Sequence, residues 1–519
     1  MKNLLTAISL LLLTSVIATK AMADEYTGTL KIGYVYNDEE GNQSVYQPTY
    51  NTYEGLAVSL EGFNYRYKNG TRLFGNFKNV TLNNRHIVFG AANTNKFKLR
   101  LSHNKYRRSY SFEEDRATRR LFSNGSLWLQ AHKNIRIFGG YGQINKSGQS
   151  LDLFEPVGLK QLNEFDYSQK FYNVGAKLSR DGSYLQLELR GSDFDDELGQ
   201  ASQRNSKMIR VTGSSPVKKI KNFYVNAGFQ NYKVEISNTS DTLNSNTGWG
   251  GIRYFSRGGM QLKYSFIWDR SRRTGDLAAT DKIANRVQFG KVWRGRGGLS
   301  LGYSHLINDD VRDEVKTNGY FVSTWFKPGN RVTLRGSYGS EITEVESGST
   351  LTGDKNLTRL RGSISYKHKY GRWRARFEDK SVENDDIGSR ADFMKVGTDL
   401  TVSSEKYGEL QAAYDYFEGD YQNAAGSFVF SDHVFHGDVL SKRHNNFQLG
   451  FGGTYLRSRQ NLDLESFSVR FTGNYDFNGG YNLEVTYSAH NFDDFNDPSA
   501  VYNQYYTANI VKIVLAKKL

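Results

Sequence analysis

An alternation of apolar and polar residues with a period of two recurs along almost the whole chain. The stretch N-K-F-K-L-R-L-S-H (residues 95–103) puts one phenylalanine and two leucines on one side of an extended chain and three basic residues on the other. The pattern returns at residues 184–190, 260–268 and 371–378. Because strand side chains alternate between two faces, and helical periodicity is nearly absent, the sequence predicts an all-β protein.

The connections between the predicted strands alternate between short and long. The short ones carry Asn-Gly or glycine-rich turn sequences that suit tight hairpins, as at residues 68–70 and 477–480. The long ones are polar, as at residues 147–165 and 191–205. Short turns at one rim and long loops at the other are typical of outer-membrane barrels, with the short turns in the periplasm.

The strand number follows from the position of the chain ends. If both ends lie in the periplasm, the number is even, and counting residues 427–436 as a strand restores the alternation of short and long connections. The sequence therefore predicts a single transmembrane antiparallel β-barrel of about 26 strands, within a range of about 22–26. A soluble solenoid or propeller is the alternative, but it requires a fixed internal repeat, which the sequence lacks.

The first 23 residues have the pattern of a secretory signal peptide. Lys2 is followed by an apolar segment at residues 4–18, and Ala21-Met22-Ala23 is a small-residue cleavage site. An N-terminal membrane anchor is the alternative. We expect residues 1–23 to be removed and residues 24–519 to form the barrel, located in the outer membrane of a Gram-negative bacterium and surrounded by lipid and lipopolysaccharide.

Composition limits the cofactors and partners. The chain has no cysteine, which excludes disulfides, thiolate metal sites and haem attachment through C-x-x-C-H, so we expect no cofactor of its own. Without Lys2 and Lys20 the charge is 66 − 54 = +12. Export argues against nucleic acid as a partner, and an anionic lumen partner, anionic solutes or lipopolysaccharide phosphates are the expected counterparts.

No catalytic or metal site is recognisable. The nine histidines are scattered, and G-x-S-x-G, H-E-x-x-H and Walker sequences are absent. His433 and His436 are three residues apart, so a strand would point them to opposite faces. We expect the protein not to be an enzyme and to have no catalytic, cofactor-binding or metal-binding residues, because a barrel hydrolase would need such a site.

The basic residues of the polar strand face are the candidate functional residues. Alternation predicts that they line the lumen, where they act either as ordinary solvated wall or as a positive field for anionic solutes or an acidic protein. In residues 371–378, three arginines alternate with apolar residues and should share one wall. The predicted lumen-facing residues are Lys96, Lys98, Arg100, Arg190, Lys263, Arg335, Arg361, Arg372, Arg374, Arg376 and Arg470.

Strands about 4.8 Å apart and tilted by about 40° give a 26-strand barrel a diameter of roughly 50 Å. Free-channel porins have about 16–18 strands, and larger barrels tend to be filled. With the first strand beginning near Tyr26, the sequence leaves no room for an N-terminal plug domain.

The sequence resembles the MtrB/PioB-type barrels of porin–cytochrome conduits. The shared features are export, the lack of cysteine-based haem sites, the lack of a plug, and about 26 strands with short periplasmic turns. The resemblance covers the mature chain and implies a barrel that sheathes a multihaem c-type cytochrome for electron transfer across the outer membrane. We expect the barrel to be monomeric. The redox chemistry would belong to that partner. The alternative is a wide solute channel that favours anionic or oligomeric solutes.

Overall fold

Twenty-six antiparallel strands form one sheet that closes on itself in the computed structural model. The structure describes residues 25–41, 52–109, 117–151, 162–198, 203–237, 241–274, 279–309, 313–346, 354–423, 426–461, 463–495 and 505–519. The first strand pairs with both the second and the last, which closes the barrel and confirms the predicted fold class and strand number. The predicted signal peptide, residues 1–23, lies outside the described residues.

The strands follow one another around the wall in chain order. No helix in the described ranges is long and apolar enough to span a membrane. The strands are β1 (Glu25–Gly41), β2 (Gly55–Arg66), β3 (Thr71–Lys78), β4 (His86–Asn93), β5 (Phe97–Ser109), β6 (Ala117–His132), β7 (Ile135–Leu151), β8 (Leu162–Arg180), β9 (Ser183–Asp196), β10 (Arg204–Pro216), β11 (Phe223–Ile236), β12 (Asp241–Phe255), β13 (Met260–Arg273), β14 (Thr280–Trp293), β15 (Gly297–Asp309), β16 (Glu314–Phe326), β17 (Val332–Glu346), β18 (Lys355–His368), β19 (Gly371–Asn384), β20 (Ser389–Ser404), β21 (Gly408–Asn423), β22 (Gly426–Ser441), β23 (Phe447–Gln460), β24 (Leu464–Phe477), β25 (Tyr481–Asp494) and β26 (Tyr506–Lys518).

Short turns join the strands at the rim that holds the start of β1 and the end of β26. These turns contain two to six residues. In the two-residue turn between β8 and β9, Asp181 has φ 50° and Gly182 has φ 81°. Positive φ at both central residues gives a backbone twist that matches the twist of the flanking strands, which explains why Asp-Gly stands at this position.

At the opposite rim, the strands continue into the polar links that the sequence suggested were loops. β7 and β8 pair out to Leu151 and Leu162, so only ten residues separate them. Across this rim the links contain two to thirteen residues. The difference arises because the alternating apolar pattern marks only the part of a strand that contacts lipid, whereas the backbone hydrogen-bond ladder continues beyond it.

The strand register divides the side chains of the whole wall between two faces. Paired residues share a face, and the ladders are regular except for a shift between β1 and β2, between β2 and β3, and between β6 and β7. In β9, Leu185, Leu187 and Leu189 are 53%, 47% and 41% exposed, whereas Glu188 on the other face is 4% exposed. The exposed apolar face is therefore the lipid face, and the polar face lines the interior.

Ion pairs on the outer face begin where the apolar band ends. In β16, Tyr320, Val322 and Phe326 are exposed on the outer face, and Lys316 lies on the same face beyond them. The Lys316 ammonium is 2.7 Å from a carboxylate oxygen of Glu346 and 3.1 Å from one of Glu314. These charges mark the outer limit of the lipid band.

Aromatic rings on the wall lie over glycines of the neighbouring strand. Phe321 is paired with Gly302, and a Cβ added to this glycine would collide with the ring. Such a ring covers backbone that the glycine leaves bare. The same arrangement occurs at Phe74–Gly90, Phe138–Gly175, Phe171–Gly142, Tyr172–Gly191, Trp249–Gly228, Trp325–Gly298 and Phe430–Gly419.

Fully buried apolar residues occur in small clusters rather than in a central core. Val35, Tyr506, Ala508 and Ile510 form one at the seam between β1 and β26. The Tyr506 hydroxyl donates to a carboxylate oxygen of Glu39 across that seam, at 3.0 Å. The other cluster has four members on β2 and β3, namely Leu60, Phe63, Tyr65 and Phe77.

Described residues outside the strands all belong to links or strand flanks, so none of the described elements crosses the lumen.

The two faces of β9 should differ in their tolerance of charge. Leu187→Arg should lower the free energy of unfolding by about 2–4 kcal/mol, because it places a guanidinium in the lipid band. Gln186→Arg places the same group on the interior face and should be tolerated. Denaturant unfolding in lipid vesicles measures both, and equal losses would contradict the assignment of the faces.

Candidate functional site

The strand register places ten of the eleven predicted basic residues on the interior face. Lys96 differs, because it lies in the turn of residues 94–96 between β4 and β5. Asn95 in this turn has φ 65°, so the chain reverses there and strand alternation begins only at Phe97. The residues that share the interior face are Lys98, Arg100, Arg190, Lys263, Arg335, Arg361, Arg372, Arg374, Arg376 and Arg470.

Carboxylates of the wall itself neutralise the arginines of β19. Arg374 donates to Asp399 on β20 at 2.7 Å, and Arg372 is 3.8 Å from the same carboxylate. Arg376 makes hydrogen bonds of 2.6 Å to both carboxylate oxygens of Asp415 on β21. The three guanidiniums do share one wall, as alternation predicts. Their acidic partners come from neighbouring strands, however, and this part of the wall is an ion-pair network rather than a bare positive surface.

A glycine on the intervening strand allows Arg376 to reach Asp415. Gly397 of β20 is paired with both residues, and a Cβ at Gly397 would collide with the Asp415 carboxylate and the Arg376 guanidinium. The same arrangement joins Asp438 of β22 to Arg470 of β24 across Gly452, with a 2.6 Å hydrogen bond. At these positions glycine provides the gap through which a salt bridge spans three strands.

Two other predicted cations are also paired. Arg190 donates to Glu188 at 2.7 Å, and Glu188 also accepts from the Asn173 side chain at 3.2 Å. Arg361 is 3.2 Å from Glu378, whose carboxylate also contacts Arg359. A buried carboxylate such as Glu188 requires these donors, because burial of an unpaired charge is costly.

Four of the ten interior cations have no carboxylate within ion-pair distance among the described residues. Lys98 and Arg100 are neighbours on the interior face of β5, Lys263 lies on β13, and Arg335 lies on β17. These four residues lie on three strands, β5, β13 and β17, which are separated from one another around the wall. Uncompensated positive charge therefore acts from several sides on the space that the barrel encloses.

A depression of about 770 Å³ surrounds Arg335. Register places Trp325, Arg335, Ser363 and Arg376 in one row across β16 to β19. The adjacent row contains Ser323, Ser337, Arg361, Glu378 and Lys395, across β16 to β20. We call the area defined by these nine residues the basic depression, and its lining also includes Thr333 and Lys327.

The two histidines of β22 lie on opposite faces, as their spacing predicts. His433 contacts the Tyr414 hydroxyl on the outer face at 2.9 Å. His436 on the interior face contacts Asp438 at 2.7 Å and Thr454 at 3.0 Å. No group of three or more metal-ligating side chains occurs in the described ranges.

Solved outer-membrane proteins are similar to this chain in fold. The siderophore receptor PirA from Pseudomonas aeruginosa matches with a TM-score of 0.51 at 9% identity, over 96% of this chain and 81% of that chain. A mutant of the ferric enterobactin receptor PfeA from the same species gives 0.53 at 8%, over 96% and 81%. The copper transporter OprC gives 0.50 at 10%, over 96% and 84%. The protein is an outer-membrane β-barrel.

At identities this low the likeness shows the fold alone. No family model matches the chain, and no curated protein matches it in sequence. The function therefore has to be inferred from the residues of the interior wall rather than from similarity to known proteins.

The gap at Gly397 should be essential for the Arg376–Asp415 pair. Gly397→Ala should lower the free energy of unfolding by about 1–3 kcal/mol, because the methyl group separates charged hydrogen-bond partners. Gly362→Ala on β18 is the matched control, since a Cβ there meets open space. Unfolding in lipid vesicles compares the two, and equal stability of both variants would contradict the role assigned to Gly397.

Proposed function

We propose that this outer-membrane barrel encloses a protein partner, a multihaem c-type cytochrome, and allows electrons to cross the outer membrane through that partner. The observation that carries the proposal is the closed 26-strand wall in which none of the described elements crosses the lumen. The barrel would act as an insulating sheath, and the haem groups would be those of the cytochrome.

The width of the wall supports a protein rather than a small solute as the main occupant. A barrel of this strand number is roughly 50 Å across, well beyond porins with about 16–18 strands. If such a lumen were open, it would let small proteins leak across the membrane. A folded protein of matching diameter would close the opening and would replace solvent against the wall.

The chemistry of the wall also suits a protein surface. Ion pairs within the wall satisfy six of the ten predicted interior cations, and aromatic rings cover glycine backbone. The unpaired cations Lys98, Arg100 and Lys263 would attract the carboxylates of an acidic cytochrome from more than one side. Complementary charge of this kind favours correct orientation and rapid encounter of the two proteins.

The same unpaired cations favour a second candidate function, a wide channel for anionic or oligomeric solutes. A positive lumen concentrates anions without any partner. The two functions differ in what accompanies the barrel from its native membrane and in how the isolated barrel conducts ions.

Removal of the unpaired cations should weaken retention of the partner. The triple variant Lys98→Gln, Arg100→Gln and Lys263→Gln should co-purify with less of a haem-staining protein than the wild type, because ion pairing is lost. The difference should be largest at low salt and should shrink as the salt concentration of the wash rises, since salt screens the ion pairs that only the wild type makes. Haem-stained gels of the purified barrel, normalised to barrel protein, give the measurement.

A control variant removes the same charges from the outer face. Lys233→Gln, Lys316→Gln and Arg390→Gln change residues of the far rim and should leave the haem-staining yield unchanged. Equal yields from both triple variants and the wild type at every salt concentration would show that the interior cations do not hold the partner. A wild-type preparation that never contains a haem-staining protein would remove the sheath proposal itself.

The isolated barrel should have an unusually large conductance. After separation from its partner and reconstitution in a planar bilayer, it should give steps far above those of barrels with about 16–18 strands, because the lumen is then filled by solvent. Small anion-selective steps would contradict the sheath and favour the solute channel.

A further inference from the structure

We infer that the basic depression is a binding site for a small polyanion, a solute that carries two or more phosphate or carboxylate groups. This site goes beyond the proposed function, because it requires no protein partner. Its components come from five neighbouring strands, β16 to β20, and occupy two adjacent rows of the register.

Short hydroxyl side chains and long cationic side chains both line the depression. Ser337 and Ser363 lie between the cations, next to Arg335 and Arg361. Arg335 and Arg376 are two strands apart, which separates their backbones by about 10 Å. That separation leaves room for a ligand whose anionic groups are contacted from opposite sides, with serine hydroxyls as additional donors.

The charges in and around the depression do not cancel. The cations are Lys327, Arg335, Arg359, Arg361, Arg376 and Lys395, and the carboxylates that pair with members of this group are Glu378 and Asp415, so 6 − 2 leaves an excess of four positive charges.

Glu378 serves two arginines at once. Lys395 has its ammonium 4.1 Å from the centroid of the Phe417 ring and has no carboxylate partner among the described residues.

Several of the donors are held in place before any ligand arrives. Both Asp415 oxygens bind the Arg376 guanidinium, and Glu378 contacts Arg361 at 3.2 Å. Each guanidinium has five N–H groups in a fixed plane, so donors remain for an oxyanion after these contacts are made. Trp325 is fixed over Gly298 of β15 and closes one side of the site. Preorganised donors bind more tightly than mobile lysines, because less side-chain entropy is lost.

The size of the depression favours a small solute over a protein surface. Its volume of about 770 Å³ falls within the range of small-molecule pockets, about 300–1,000 Å³. A diphosphate or a tricarboxylate could enter it completely, whereas a folded protein could insert only single side chains. The geometry therefore assigns the site to a free polyanion that enters from the lumen.

Calorimetric titration of the purified barrel in detergent, with inorganic pyrophosphate as the probe and chloride as the background anion, tests this site. The wild type should bind pyrophosphate with saturation at about one per chain. The double variant Arg335→Gln and Lys395→Gln should bind at least about tenfold more weakly, because two charged donors are lost. Acetate, which has a single carboxylate, should give no saturable heat.

The matched control is the double variant Arg136→Gln and Lys177→Gln. These residues form a directly opposed pair on the interior face of β7 and β8, outside the depression, and the variant removes the same two kinds of charge. It should bind pyrophosphate as the wild type does. A heat-modifiable shift in gel mobility verifies that each variant is a folded barrel. If the double variant does not fold, the single variant Arg335→Gln replaces it and should also bind pyrophosphate more weakly than the wild type.

Three results would overturn the site: no saturable binding by the wild type, equal binding by the wild type and the depression variant, or equal weakening by both double variants. The test is independent of the proposed function. Pyrophosphate binding is measured on the barrel alone, and the haem-staining yield is measured with variants outside the depression. A negative result in either test therefore leaves the other proposal unaffected.

Discussion

The structure depends on the need of every strand for a hydrogen-bonding neighbour on both sides within lipid. An unpaired backbone group in the hydrocarbon layer costs several kcal/mol, so a membrane-spanning sheet must close. Closure occurs between β1 and β26, which pair from Thr29–Lys518 to Gly41–Tyr506. This seam joins the two ends of the chain, and it fixes the register of the intervening strands because each ladder constrains the next.

That continuous register determines what the interior wall can do. Residues distant in sequence meet in rows that run across many strands, so Arg376 and Asp415 are partners although 39 residues separate them. Glycines make these pairs possible because they have no side chain. Gly397 and Gly452 leave the gaps through which the pairs form. The wall therefore neutralises much of its own charge, and six of the eight predicted interior arginines form ion pairs with carboxylates of the wall.

Of the cations predicted from the sequence, those without a carboxylate partner among the described residues lie at Lys98 and Arg100, at Lys263, and at Arg335 in the basic depression. A partner protein and a small polyanion would use different parts of this surplus, the first by contacts around the lumen and the second by insertion between two rows of one sector. Both kinds of binding depend on the same feature of the barrel, which is a wide, solvated polar lumen inside a wall whose outer face is apolar.

The sequence by itself determined the fold class, the strand number and the face on which most of the basic residues lie, because alternation within a strand is a local property of the chain. It placed Lys96 on a strand, since alternation does not show that Asn95 reverses the chain at a positive φ.

Only the tertiary structure decided which cations are neutralised. Asp399 meets Arg374, and Asp415 meets Arg376, through the stagger of neighbouring strands. That stagger is set when the whole sheet closes, so it cannot be predicted from any single segment of the sequence.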